Sequence, residues 1–172
     1  MSDAVLVVYV TRYGSTQEVA ERVAEVMREN GLQVDVKPAR QVRTLEGYRA
    51  VVLGAPLYIG RWLKDAHRFL ARYQESLAQL PVAVFALGPT RAEEMEGPDV
   101  RAQLDQQLSK YPWLKPVAAE MFGGRYDPAT LRFPDSLLAA LPASPLHGAP
   151  SSDARDWEAI RAWAKALYSK LS

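Results

Sequence analysis

The apolar residues change their spacing several times along the chain, and each change marks an element. Val5-Leu6-Val7-Val8-Tyr9-Val10 is unbroken and rich in β-branched residues, the pattern of a strand covered on both faces. From Thr16 the spacing turns helical: Val19, Val23, Val26 and Met27 recur on one face, and Gly31 supplies a stop after Asn30. Val34-Asp35-Val36 reads as a short second strand and Ala50-Val51-Val52-Leu53-Gly54-Ala55 as a third, buried one. Residues 38–49 between them are only weakly periodic. Leu63, Ala66, Leu70 and Tyr73 mark the inner face of the next helix and leave Arg61, Lys64, Arg68 and Arg72 to water. Pro81 opens a fourth strand, Val82-Ala83-Val84-Phe85-Ala86-Leu87, that ends at Gly88-Pro89. A helix over about 98–110 with Val100, Leu104 and Leu108 inward and a weaker strand at 117–122 follow. The last helix carries Trp157, Ile160, Ala164, Leu167 and Leu171, with Asp153 or Asp156 as its cap. Trp157 and Trp163 are expected in the core.

Strands that alternate with helices predict an α/β fold, because parallel neighbours need crossover helices and those helices cover both faces of the sheet. The expected architecture is a doubly wound, five-stranded parallel sheet of order 2-1-3-4-5. Ligands of such sheets sit beyond the carboxyl ends of the strands, where the winding reverses between strands 1 and 3. The loops after strands 1, 3 and 4 are therefore the ones to inspect.

Composition narrows the chemistry. A length of 172 residues, 48% hydrophobic and 24% charged, fits one globular domain spanning 1–172. An irregular Gly-, Pro- and Ser-rich insertion at about 123–152 holds one short apolar helix near Asp135 to Leu141. There are no cysteines, which removes disulfides, thiolate metal sites and cysteine nucleophiles. His67 and His147 stand far apart in no ligand spacing, so no metal is expected, and each reads as a surface or supporting residue. Twenty-one basic against twenty acidic residues give no general attraction for nucleic acid. The start lacks an export-signal pattern and no apolar stretch suffices to span a bilayer, so a cytoplasmic location with at most peripheral membrane contact is expected.

The loop after strand 1, Thr11-Arg12-Tyr13-Gly14-Ser15-Thr16, combines three hydroxyls and a glycine with the start of a helix. Free N–H groups and the positive helix end favour a phosphate there. The plainer alternative, that Ser15 or Thr16 merely caps the helix, stands level with it on the loop alone. No G-x-x-x-x-G-K-[ST] or G-x-G-x-x-G occurs, which disfavours a nucleoside triphosphate and a dinucleotide and leaves a mononucleotide. The loop after strand 3, Pro56-Leu57-Tyr58-Ile59-Gly60-Arg61-Trp62, offers aromatic and aliphatic groups to a planar ring. Gly88, Pro89 and Thr90 after strand 4 offer small groups and backbone, with no aromatic lid. Gly123-Gly124-Arg125-Tyr126-Asp127 follows strand 5 near the mouth of the same crevice.

These segments, with Ala86-Leu87-Gly88-Pro89, together resemble the flavodoxin superfamily over most of the chain. Asp153-Ala154-Arg155-Asp156-Trp157-Glu158-Ala159-Ile160 is similar to the branch of menaquinone-dependent protoporphyrinogen IX dehydrogenases. The resemblance implies non-covalent FMN, its phosphate on Thr11, Arg12, Tyr13, Gly14, Ser15 and Thr16. It also implies a ring bordered by Pro56, Leu57, Tyr58, Ile59 and Gly60 on one side and Gly88, Pro89 and Thr90 on the other. The flavin would carry the redox chemistry, so no catalytic acid or base is named.

Three functions follow. The first is an FMN-dependent oxidoreductase between a porphyrinogen-like donor and a quinone-like acceptor. The second is an electron carrier that docks to redox proteins, for which the even charge count gives no global docking rim. The third, an interaction module without flavin, is disfavoured because a structural cap needs one hydroxyl residue rather than three.

Overall fold

The computed structural model describes residues 3–58, 60–144 and 147–171. Strand β1 (Ala4–Tyr9) is buried along its whole length and feeds helix α1 (Ser15–Glu29). Strand β2 (Val34–Pro38) leads through a 3₁₀ turn at Ala39–Gln41 to β3 (Tyr48–Tyr58). Beyond it lie β4 (Arg61–Trp62), α2 (Lys64–Arg72) and α3 (Gln74–Leu77). Then come β5 (Val82–Leu87), α4 (Val100–Leu108) and β6 (Ala118–Phe122). The chain ends with β7 (Arg125–Tyr126), α5 (Asp135–Ala140), β8 (Ser152–Asp153) and α6 (Trp157–Leu171).

The sheet order is β2-β1-β3-β5-β6, with every neighbouring pair parallel. This is the expected order 2-1-3-4-5; the shift in labels comes from β4, a two-residue arm antiparallel to β3. Alternation along the strands sends side chains to opposite faces. Val5, Val7, Val52 and Phe85 pack with α1 and α6, whereas Leu6, Val8, Val51 and Leu53 pack with α2 and α4. Gly54 pairs with Phe85, and a β-carbon there would lie 2.0 Å from the Phe85 ring. That ring meets Phe122 and Trp163 edge-on or tilted, so Gly54 is the space in which this aromatic cluster sits.

Several expectations are corrected. Pro56, Leu57 and Tyr58 are strand rather than loop, because Leu57 pairs with Trp62 and Tyr58 with Arg61. Trp157 is 38% exposed and lies under the Arg155 guanidinium, so only Trp163 joins the core. His67 is half-buried and of the supporting kind: its Nδ1 shares a hydrogen bond with Tyr111 Oη, and its ring stacks on Tyr111. The 123–152 segment is not wholly irregular, since β7 pairs with β8 around α5. Of the two proposed caps it is Asp156 that accepts from the Ala159 N–H, at 3.0 Å. No helix of the described residues is long and apolar enough to cross a membrane.

Arg155 ties the return of the chain to α1. Its side chain is 4% exposed and reaches Glu18 Oε2 at 2.9 Å and Asp153 Oδ2 at 2.8 Å. The Arg155 hydrogen bond holds the Asp153 carboxyl below its ordinary value of 3.8. A depressed carboxyl stabilises the fold above its unfolded value and stops doing so as pH falls through the folded one. Arg155→Ala is therefore expected to lower unfolding free energy by about 1–3 kcal/mol at neutral pH. The deficit should narrow below pH 3.8, as read by denaturant titrations at both ends of the range.

Candidate functional site

The carboxyl end of β1 turns into α1 through residues 10–14. Gly14 has φ +91° and is the helix N-cap, with no side-chain cap bond, a conformation that a residue with a β-carbon adopts only under strain. The Gly14 N–H donates to Thr11 Oγ1 at 2.8 Å, so Thr11 shapes the turn from within. Neither Ser15 nor Thr16 caps the helix: the helix begins at Ser15. Thr16 is fully buried, and its Oγ1 has no hydrogen-bond partner among the described residues. The first-turn N–H groups of a helix also lack intrahelical partners. An acceptor placed at this end, such as a phosphate oxygen, satisfies both deficits and is favoured by the helix dipole.

The rest of the loop is held from the 123–152 segment. Arg12 Nη2 lies 2.8 Å from Asp135 Oδ2, and the Tyr13 hydroxyl donates to the same carboxylate. Arg132 donates to the Arg12 carbonyl and lies over the Tyr13 ring, 5.3 Å from its centroid. The Ser15 carbonyl accepts from Arg155 Nη1 at 3.4 Å. Loss of water pushes the Tyr58 hydroxyl up to about 12, with a lowering effect of Arg12 and raising effects of Tyr13 and Asp135. The end of β3 therefore feels the charges of Arg12 and Asp135 beside the β1–α1 loop.

Gly60 follows at φ +70°, with its carbonyl accepting from Gln107 Nε2 at 2.9 Å. Ile59 lies outside the described residues. Leu57 is buried, and Tyr58 is 39% exposed at the end of the strand. On the far side, Gly88 donates to the Phe122 carbonyl at 2.8 Å and the Gly124 N–H to the Pro89 carbonyl at 2.8 Å. A β-carbon on Gly88 would strike Met121 Cε at 2.3 Å, and one on Gly124 would sit 3.5 Å from Thr90 Cγ2. Gly88, Pro89 and Thr90 are thus brought against Gly124, as their place after adjacent strands requires. Tyr126, two residues on, has a buried hydroxyl with no hydrogen-bond partner among the described residues. A cleft of about 790 Å³ adjoins the loop on the β2 side, lined by Thr11, Arg12, Arg40, Lys64 and Arg132 among others. It shares only Thr11 and Arg12 with the predicted residues. Trp113 lies edge-on to Tyr111 in the cluster packed on the α2 side.

Residues 6–151 match the model of the flavodoxin domain. The chain belongs to the flavodoxin-domain family. Among curated proteins it is similar to the protoporphyrinogen IX dehydrogenase [quinone] of Escherichia coli K12, 24% identical over 171 residues, which covers 94% of this chain and 93% of that one. Among solved structures, flavodoxin 1 from Bacillus cereus superposes with a TM-score of 0.61 at 18% identity over 99% of this chain and 100% of that one. A short-chain flavodoxin associated with a bacterial microcompartment gives 0.64 at 17% identity over 99% of each. FMN is the cofactor that this family implies, and the orphaned Thr16 hydroxyl at a free helix start fits its phosphate.

Arg132, Asp135 and Gln107 were invisible to a local reading, since the partners through which they reach the β1–α1 loop or Gly60 lie between 47 and 123 residues away, and Arg155 likewise reaches Ser15 and Glu18 across 140 and 137 residues. The one available signal was that Arg125 and Arg132 are the only arginine or lysine residues between 125 and 147. Thr16→Val should separate ligand binding from stability. It removes a buried unpaired hydroxyl, so thermal unfolding should be unchanged or shifted upward by about 1 kcal/mol equivalent. Affinity for FMN, measured by quenching of flavin fluorescence, should fall roughly tenfold.

Proposed function

We propose that this chain is an FMN-dependent oxidoreductase that passes two electrons from a reduced, porphyrinogen-like organic donor to a quinone. Bound FMN supplies the reversible redox chemistry. Thr16 Oγ1 and the first-turn N–H groups of α1 hold the phosphate, with Thr11 and Gly14 setting the turn and Ser15 beginning the helix. Arg12 and Tyr13, both bound to Asp135, fix the shape of the loop beside that position. Pro56, Leu57, Tyr58, Ile59 and Gly60 border one edge of the ring and Gly88, Pro89 and Thr90 the other. With its pKa near 12, the Tyr58 phenol stays protonated and donates rather than taking up a proton at neutral pH.

The observation that carries the choice of a small lipophilic partner is the segment clamped to the phosphate loop. Phe133 is 78% exposed, and Leu137, Leu138 and Leu141 are also exposed, beside the Asp135 carboxylate that holds Arg12 and Tyr13. Exposed apolar side chains beside a ligand site suit contact with an apolar partner. The similarity to a quinone-reducing protoporphyrinogen IX dehydrogenase supports the same reading.

Anaerobic reduction of the purified, FMN-loaded protein tests it. The expected record is passage of the flavin to the two-electron state with little one-electron form, and rapid reoxidation on adding a soluble naphthoquinone. Accumulation of a long-lived one-electron form with no quinone turnover would assign the chain to protein-to-protein electron transfer. A protein that takes up no FMN would be an interaction module instead.

A further inference from the structure

We infer that Gln107 is a positioning residue for the hairpin tip that borders the flavin, a proposal that rests on the FMN reading above. Val100, Leu104 and Gln107 form the buried face of α4. The first two are apolar, as such a face demands. The third is an amide only 3% exposed, and burial of an amide is unfavourable unless it is hydrogen-bonded. Its Nε2 donates to the Gly60 carbonyl at 2.9 Å, across 47 residues of sequence, and its Oε1 lies 3.5 Å from Lys110 Nζ.

The acceptor is as unusual as the donor. Gly60 stands between the paired residues Tyr58 and Arg61 with φ +70°, where a glycine is free to rotate and other residues are not. One turn earlier on α4, Gln103 lies 3.9 Å from the place of a Gly60 β-carbon. A glycine at a hairpin tip has little of its own to fix the peptide plane; Gln107 supplies the restraint from the helix behind. A leucine would fill the same face and bury more apolar surface, so the amide is explained by the bond it makes. The hairpin is thereby held in one geometry against a ring, and ring geometry sets both affinity and the electronic surroundings of a flavin.

The test uses the full-length FMN-loaded protein and Gln107→Met, which keeps the volume and length of the side chain but cannot donate. FMN affinity is expected to fall roughly tenfold, with an altered visible circular dichroism of the bound flavin and a shifted midpoint potential. Gln107→Glu, polar but without an N–H, should show the same changes and serves if the methionine variant does not fold. A purely structural role would lower the melting temperature alone. Variants with wild-type FMN affinity, flavin dichroism and potential would therefore overturn the proposal, whatever their melting temperature. Wild-type protein that binds no FMN would overturn the FMN reading itself and this inference with it.

Discussion

The left-handed turn at Gly14 is the constraint on which the ligand end of the molecule depends. β1 is buried on both faces and ends at Tyr9, and α1 must start within a few residues to cover the sheet. With Gly14 at φ +91°, the chain reverses and brings the open N–H groups of α1 to the carboxyl end of β1. Thr11 closes the turn by accepting from Gly14, and Thr16 is carried into the interior with its hydroxyl unpaired. A side chain at Gly14 would meet no neighbour, so the requirement there is one of backbone conformation and not of space.

Electrostatics around this turn differ from the near-neutral total. Arg12, Arg125, Arg132 and Arg155 all converge on the first turn of α1 or the loop before it. Asp135, Glu18 and Asp153 answer them. Pairs such as Arg125 with Glu18, with both side chains more than a third exposed, contribute little to stability in water, about 0–1 kcal/mol. Arg155 is different because it is buried and bonded on several sides. The 123–152 segment thus holds the loop between β1 and α1 through Arg132 and Asp135, and it carries the exposed Phe133 and Leu137.

The sheet was legible because buried parallel strands read as unbroken apolar runs, and Val5 to Val10 or Val82 to Leu87 leave no room for another element. The turn into α1 was legible because its cues are local: a glycine and a helical period that begins beside it. The hairpin of β3 and β4 was not, since Pro56 looks like a loop residue and only the pairing of Leu57 with Trp62 and of Tyr58 with Arg61 carries the strand through it. Trp157 fits the helical period of the core, yet Arg155 holds it at the surface. Asp135 and Gln107 act through partners 122 and 47 residues away, and no pattern within one element announces such contacts.

We propose that the start of α1 receives the FMN phosphate. Two-dimensional amide NMR of the ¹⁵N-labelled protein during titration with FMN reads it directly. The largest N–H shifts are expected on Gly14, Ser15, Thr16 and Gln17, and a flavin lacking the phosphate should leave them nearly unmoved. Shifts confined to other residues, or equal shifts with the phosphate-free flavin, would contradict it.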